Sequence, residues 1–418
     1  MSRPRARSRP GWQVAAADLP AAGWDVAVVG GGPAGATAAL HVAASGRRVL
    51  LLERAVYPRP KACGDLLIPD ALAALRRAGL YERVAAEAFR VREALVSSPS
   101  RIEWTIPGDY LVLPRERFDA LLAEEAARRG AVVAHGQVEA VDVEDGSGAV
   151  ILRVRGRTEP VRATHAILAA GADVSLLEPL GMLERAAPTA VALRAYVRPR
   201  DGRGDPLRSL LISFDREIVP GYAWAFPVPG GAYNVGVGVL HDAERPARHD
   251  LRALFDTFCR ELPRLRGIVD GADGAPELRG ARLRCGLDGA RPRGPGNVLA
   301  VGEQIGTTYP FTGEGIGKAM ETGERAAAAV VRALERDDPG ELDRYAEEVE
   351  EHLRPRYAGY LAAQRWLSRP WLNDLVARRA RRNRFLRDAA RDMVAETADP
   401  RVVFSWRGLL RSLVGPAG

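Results

Sequence analysis

Four groups of residues in this sequence are spaced for chemistry. The first is Gly30-x-Gly32-x-x-Gly35, set between two apolar runs, Val26 to Val29 and Val49 to Leu52, the second of which ends in Glu53. Glycine at the first position permits a tight turn. At the second it removes the side chain that would block a pyrophosphate, and at the third it lets a helix pack against a strand. The helix opening at Pro33 and Ala34 offers unpaired N–H groups and a positive dipole end to phosphates. Glu53, 18 residues after Gly35, is placed to accept hydrogen bonds from an adenosine ribose. A carboxylate there suits a free 2′-hydroxyl and repels a 2′-phosphate, so FAD or NAD fits better than NADP. Arg54, next in the chain, is counted with these cofactor residues.

The second group ends an apolar strand with Gly302-Glu303 and opens a long Ala-rich helix with Gly313-Glu314-Gly315-Ile316. This pattern can place an acid near a ribityl chain and helix-start N–H groups near a flavin ring, stabilising its reduced form. The third is Cys63, in the loop Arg59-Pro60-Lys61-Ala62-Cys63-Gly64. A thiol there is either a proton donor or a buried spectator, and Lys61 and Arg59 would lower its pKa if they pointed inward. The fourth is Tyr222, Trp224 and Phe226, which alternate and so share one face of a strand. They form either plain core or an apolar wall. In the second case Gly236 and Gly238 on the next strand leave room opposite for a long, slim apolar ligand such as a prenyl chain.

The elements that must carry these groups can be read from periodicity. Strand, helix and strand cover 24–53, helical patterns run to about Glu93, and Leu111 to Leu113 is a short strand. Phe118 to Arg129 is a helix, and short strands fill 131–170 with turns at Asp145-Gly146 and Arg155-Gly156. Strands dominate 189–240, helix returns at 249–262, and a strand at Val298 to Val301 precedes a helix over about 315–336. The remainder is mostly helical.

At 418 residues, 47% hydrophobic and 27% charged, the chain has the composition of an ordinary globular protein large enough for two domains. No apolar run approaches the length of a spanning helix. Three scattered cysteines argue against a disulfide framework and for a reducing, cytoplasmic setting. No Cys or His spacing suits a metal. The net charge of +7 is uneven: residues 1–10 carry four Arg and no acid, and 352–418 carry fourteen Arg against five acids. The near-terminal stretch from Arg401 puts Val402, Val403, Trp406, Leu409, Leu410 and Leu413 on one helical face flanked by Arg407 and Arg411. That is the pattern of an interfacial helix, or of one packed on the body. Nothing points to nucleic acid.

The two nucleotide-type motifs together resemble the flavoprotein superfamily of para-hydroxybenzoate hydroxylase type. There the first motif binds the ADP half of FAD and the second reads G-D-A-A-G, then P-x-x-G-E-G-I. Glu303 stands where the Asp is usual, and Gln304-Ile305 replace small residues. Arg115-Glu116-Arg117-Phe118-Asp119 is similar to the superfamily's R-x-x-F-D segment, whose Arg implies that Arg115 contacts FAD. The superfamily's D-G motif is not evident at 169–175. Arg59-Pro60-Lys61-Ala62-Cys63-Gly64 resembles the R-P-K-x-C-G signature of the geranylgeranyl reductases. Tyr222-Ala223-Trp224-Ala225-Phe226-Pro227, then Asn234 to Gly238, resembles their Y-x-W-x-F-P…G-x-G.

The resemblance implies an α/β fold: a discontinuous Rossmann-like FAD-binding domain (21–95, 111–186 and 285–336) with an inserted, mainly antiparallel β substrate domain (96–110 and 187–284). A helical C-terminal region (337–418) follows, and 1–20 is expected to be a disordered basic tail. The implied activity is FAD-dependent reduction of isolated prenyl double bonds, with hydride from flavin N5 and Cys63 as a candidate acid. Gly64 joins the cofactor set, and Tyr222, Trp224, Phe226, Pro227, Gly236 and Gly238 form the substrate set. NADPH or a ferredoxin-like iron–sulfur protein would be the reductant. A prenylated small molecule or lipid would be the substrate, with peripheral contact at the inner membrane face through the basic C-terminal region. The alternatives are a flavin-dependent monooxygenase or halogenase of the same superfamily, and a non-catalytic membrane-associated flavoprotein.

Overall fold

The computed structural model describes residues 8–20, 23–199, 207–240, 250–262, 265 and 276–408. Their strands form two sheets. Sheet 1 is built from β1 (Gln13–Ala15), β2 (Trp24–Val29), β3 (Val49–Glu53), β7 (Val132–His135), β8 (Val138–Val143), β9 (Val150–Val154), β10 (Val161–Leu168) and β16 (Val298–Ala300). Its order is β1-β7-β3-β2-β10-β9-β8. One edge of β10 pairs antiparallel with β9 over 161–163 and then parallel with β16 over 166–168. The apolar runs β2 and β3 are parallel and nearly fully buried, as strands covered on both faces must be.

Helix α1 (Pro33–Ala44) owes its small residues to close approach. A Cβ on Gly35 would fall 1.9 Å from the Gly30 carbonyl oxygen, and one on Gly323 would fall 2.2 Å from that of Ala34. Gly323 lies in α6 (Ile316–Arg336), so bulk at either site would push the second-motif helix off the first.

Sheet 2 contains β4 (Leu66–Leu67), β5 (Phe89–Ser97), β6 (Glu103–Val112), β11 (Ala190–Val197), β12 (Leu210–Ser213), β13 (Gly221–Val228), β14 (Ala232–Leu240) and β15 (Arg279–Leu283), in the order β15-β11-β14-β13-β12-β5-β6-β4. All neighbours are antiparallel except β12 and β5. This corrects two expectations. Helix stops with α2 (Pro69–Arg77) and α3 (Tyr81–Ala85), and residues 89–95, expected in the FAD-binding domain, are strand in sheet 2. A register shift between Val91 and Glu93 interrupts the period-two alternation and disguises the strand. The expected tail is also corrected over its described part: residues 13–15 form an edge strand parallel to β7, anchored by Gln13, whose side chain bonds the backbone of Ala55 and Tyr57.

Helices α4 (Arg115–Arg128) and α5 (Leu251–Glu261) flank the sheets. Beyond α6 come α7 (Gly340–Glu348), α8 (Arg354–Leu367), α9 (Pro370–Arg382) and α10 (Arg384–Val394). They fold back over the loop that precedes α6. Tyr309 stacks on Tyr360 with ring centroids 3.9 Å apart and donates to Glu396 at 2.6 Å, while Tyr357 donates to the Thr307 carbonyl at 2.6 Å. Lys318, 2% exposed, bridges Glu321 and Glu396. Among the described residues no helix is long and apolar enough to cross a membrane.

Candidate active site

The ends of β2, β3 and β10, the loop 59–66, one face of sheet 2 and the loop 302–316 enclose a cleft of about 390 Å³. Every predicted site residue lines it except Gly35, Gly302, Pro227 and Gly236. Gly35 acts through helix packing, as above. Gly302 has φ +66, and a Cβ there would meet that of Ala34 at 2.8 Å. Gly236 does not open room for a ligand: the indole of Trp224 fills that space. Gly238 does line the cleft.

The first motif makes a cradle for an anion. Around the position of a Cβ on Gly32, the nearest atoms are guanidinium nitrogens of Arg59 and Arg115, each 3.9 Å away. Arg115 forks onto Asp119 at 2.6 and 2.9 Å, and Arg59 spans Glu53 and Asp119 at 3.1 Å each. Asp119, fully buried, thus fixes both cations. Glu53 accepts from the Gly31 and Ala55 N–H groups at 2.9 and 3.0 Å, which sets its carboxylate beside the turn. An open space facing two cations and a helix start fits the diphosphate of a dinucleotide. Arg54 instead pairs with Asp173 at 3.1 Å at the rim.

In the second motif, Gly313 (φ +68), Gly315 and Ile316 line the cleft beside Glu303. Glu303 accepts from the Arg284 N–H at 3.3 Å. Gln304, where small residues are usual, is buried and has a task of its own. It accepts from the Ala170 N–H at 2.9 Å and donates to the Asp173 carbonyl at 3.1 Å, tying the turn after β10 to this loop.

Cys63 meets sheet 2 through Asn234, which donates to its carbonyl at 2.7 Å. Burial pushes the thiol above its ordinary pKa, against the opposing field of Arg115. The expected activation by Arg59 does not occur, because Arg59 is engaged by Glu53 and Asp119. The thiol keeps its proton. Asn234 also accepts from the Trp224 indole N–H at 3.0 Å and donates to Asp65 at 2.7 Å. Asp65 further accepts from the Tyr196 hydroxyl and the Arg115 N–H. Neither Asp65 nor Asn234 was singled out from sequence. The available signal was a polar side chain in phase with Gly236 and Gly238 on an otherwise apolar strand.

Tyr222, Trp224 and Phe226 form a continuous wall, with ring centroids 5.9 and 6.4 Å apart. Beyond it lies a second chamber of about 110 Å³. It shares Leu66, Tyr222, Phe226, Phe311 and Glu314 with the cleft and is otherwise almost wholly apolar, roofed by α8 to α10 and by Val403 and Phe404. Burial first, then the charge of Asp70, hold the Glu314 carboxyl far above the usual carboxylate range, so it stays protonated. Glu314 was quoted in the motif but not picked as a site residue. Val403 and Phe404, 6% exposed each, turn inward, whereas Val402 of the same stretch is 37% exposed. Leu409, Leu410, Arg411 and Leu413 lie outside the described residues. Trp371 and Trp406 are 59% and 62% exposed.

A family model described as an FAD binding domain matches residues 23–189. The chain is 34% identical over 321 residues to a menaquinone reductase of Mycolicibacterium smegmatis, covering 72% of this chain and 75% of that one. It is 31% identical over 351 residues to digeranylgeranylglycerophospholipid reductase 1 of Methanopyrus kandleri, covering 80% and 88%. A geranylgeranyl bacteriochlorophyll reductase-like structure from Thermoplasma acidophilum aligns with TM-score 0.74 at 24% identity, over 94% of this chain and 96% of that one. The flavin-dependent brominase Bmp2 aligns at 0.71 and 19% identity, over 94% and 98%. At these identities the two structures share the fold with this chain.

Proposed function

The chain belongs to the geranylgeranyl reductase family of FAD-dependent oxidoreductases, and on that footing we propose that it reduces isolated double bonds in the polyprenyl tail of a lipid or quinone. The observation that carries this reading is the apolar chamber opening off the flavin cleft through the aromatic wall. When bound, FAD supplies a hydride-donating ring.

The protein's own share is positioning and protons. The Gly32 turn, Arg59 and Arg115 hold the diphosphate, and Glu53 takes ribose hydroxyls. Gly313, Gly315 and Ile316 let the backbone approach the ring. An alkene without a carbonyl has no polar handle, so shape must orient it. Tyr222, Trp224 and Phe226 give an aromatic face that also stabilises any cationic character in the chain. The apolar roof keeps water out. Cys63 and Glu314 both line the cleft with pKa values raised by burial, and either can donate a proton to an alkene carbon.

The electron donor on this reading is NADPH or a small iron–sulfur protein. Exposed Trp371 and Trp406, near Arg365 and Arg369, suit an anionic membrane surface from which a lipid tail is drawn.

The test is anaerobic. Purified flavoprotein is reduced and offered geranylgeranyl compounds, and products are weighed by mass spectrometry. Gain of two hydrogens per bond is expected. Oxygen or halide incorporation under air would move the chain to the monooxygenase or halogenase reading. No turnover with flavin bound would move it to the non-catalytic one.

A further inference from the structure

The face of sheet 2 turned toward the cleft changes character across its width. Strand register sets Arg279 on β15, Arg194 on β11, Gly236 on β14 and Trp224 on β13 in one row, so their side chains share a face. The row runs from two guanidinium groups to an indole. The aromatic end is the wall described above, and the cationic end has no role in it.

Arg194 is 5% exposed and lines the cleft. Its guanidinium lies over the Tyr196 ring, 4.1 Å from the centroid, and one N–H reaches the Lys61 carbonyl at 3.3 Å. Its Nε has no hydrogen-bond partner. The neighbouring acid, Asp65, acts on Arg194 through space but accepts no hydrogen bond from it, its oxygens being taken by Tyr196, Asn234 and the Arg115 N–H. Lys61 lines the same stretch, and among the described residues neither it nor Arg194 forms an ion pair. Arg279 reaches only Glu277, an exposed acid, at 2.8 Å. On the sheet 1 side, by contrast, Arg54, Arg59 and Arg115 are each paired with a carboxylate.

A buried guanidinium N–H left without an acceptor is costly. We infer that Arg194, with Lys61 and backed by Arg279, forms a second anion site, separate from the cradle at Gly32, that takes a phosphate or diphosphate ester. The planar fork of Arg194 suits phosphate oxygens, and Lys61 adds a compact charge. Two sources carry that chemistry: the polar end of a prenyl substrate whose chain continues past the aromatic wall, and the phosphate of a nicotinamide nucleotide reductant.

The holoprotein, with FAD bound, is titrated with inorganic pyrophosphate at fixed ionic strength and followed by calorimetry and flavin absorbance. Saturable binding is expected, weakened about tenfold by Arg194→Met and severalfold by Lys61→Ala, with FAD content unchanged. Should Arg194→Met fail to fold, Lys61→Ala, at a half-buried position, carries the test. Equal affinity in wild type and variants overturns the proposal. So does loss of FAD in step with pyrophosphate, which places these cations in the flavin cradle. Two competitor pairs then name the source. A preference for geranylgeranyl diphosphate over geranylgeraniol that collapses in Lys61→Ala assigns the substrate head. A preference for NADPH over NADH that collapses assigns the reductant. Loss of neither preference overturns the proposal.

Discussion

The indole of Trp224 lies across the α-carbon of Gly236: a Cβ there would sit 2.3 Å from Trp224 Cζ2. The two are register partners on adjacent strands, so the glycine is what lets the ring lie flat in the wall. Gly236→Ala is expected to cost about 1–3 kcal/mol by overpacking and to tilt the ring, weakening turnover of prenyl substrates. Because Gly236 does not line the cleft, FAD content should hold. Thermal melting and flavin absorbance check both halves.

Glu314 carries its proton because burial and Asp70 raise its pKa. A folded-state pKa above the unfolded value gives stability that is present at low pH and lost as pH rises toward the folded value. Glu314→Gln removes that dependence. The variant should therefore gain stability relative to wild type as pH rises above the ordinary glutamate value of 4.5, measured by urea unfolding across the range. If Glu314 is the proton donor, reduction falls on the order of 10²-fold. The protonated-carboxyl infrared absorption at neutral pH should lose one component in the variant.

Cys63→Ser tests the thiol separately. Reduction is expected to fall about tenfold or more with FAD retained, since only the backbone of Cys63 is tied to Asn234. Wild-type rates would remove the thiol from the chemistry.

Lys318 neutralises Glu321 and Glu396 in a nearly waterless site. Lys318→Met removes the buried cation between two carboxylates, leaving Glu321 with Arg325 and Glu396 with Arg356, and should destabilise by roughly 1.5–3 kcal/mol, loosening the C-terminal helices from α6. Limited proteolysis should then cut first within 340–404, and flavin binding should weaken after that.

Trp371→Ala combined with Trp406→Ala should reduce co-sedimentation with anionic vesicles severalfold while leaving the apolar chamber intact, because neither ring lines it. Unchanged sedimentation would exclude this face as the membrane contact.

Much of this architecture was legible in advance. The Gly30 to Glu53 unit and strands β11 to β14 carry undisguised periodicities, and local spacing determines what they do. The roof of the chamber was not legible. Val403 reads as part of an amphipathic face, while Leu386, Met393 and Phe404 fall in a stretch read simply as mostly helical, and only tertiary folding shows which way these residues face. The Asp119 clamp on Arg59 and Arg115 was equally hidden, because it joins a loop and a helix about sixty residues apart. The strand β5 was missed where a bulge broke its alternation.

The chamber's walls come from opposite ends of the polypeptide. The flavin motifs lie within 30–119 and around 302–316, whereas the ceiling over the tail is assembled from 360–404. Redox competence and tail selectivity are thus encoded in separable stretches. Exchanging the last helices between related enzymes should transplant preference for chain length or degree of unsaturation and leave the electron-transfer machinery untouched.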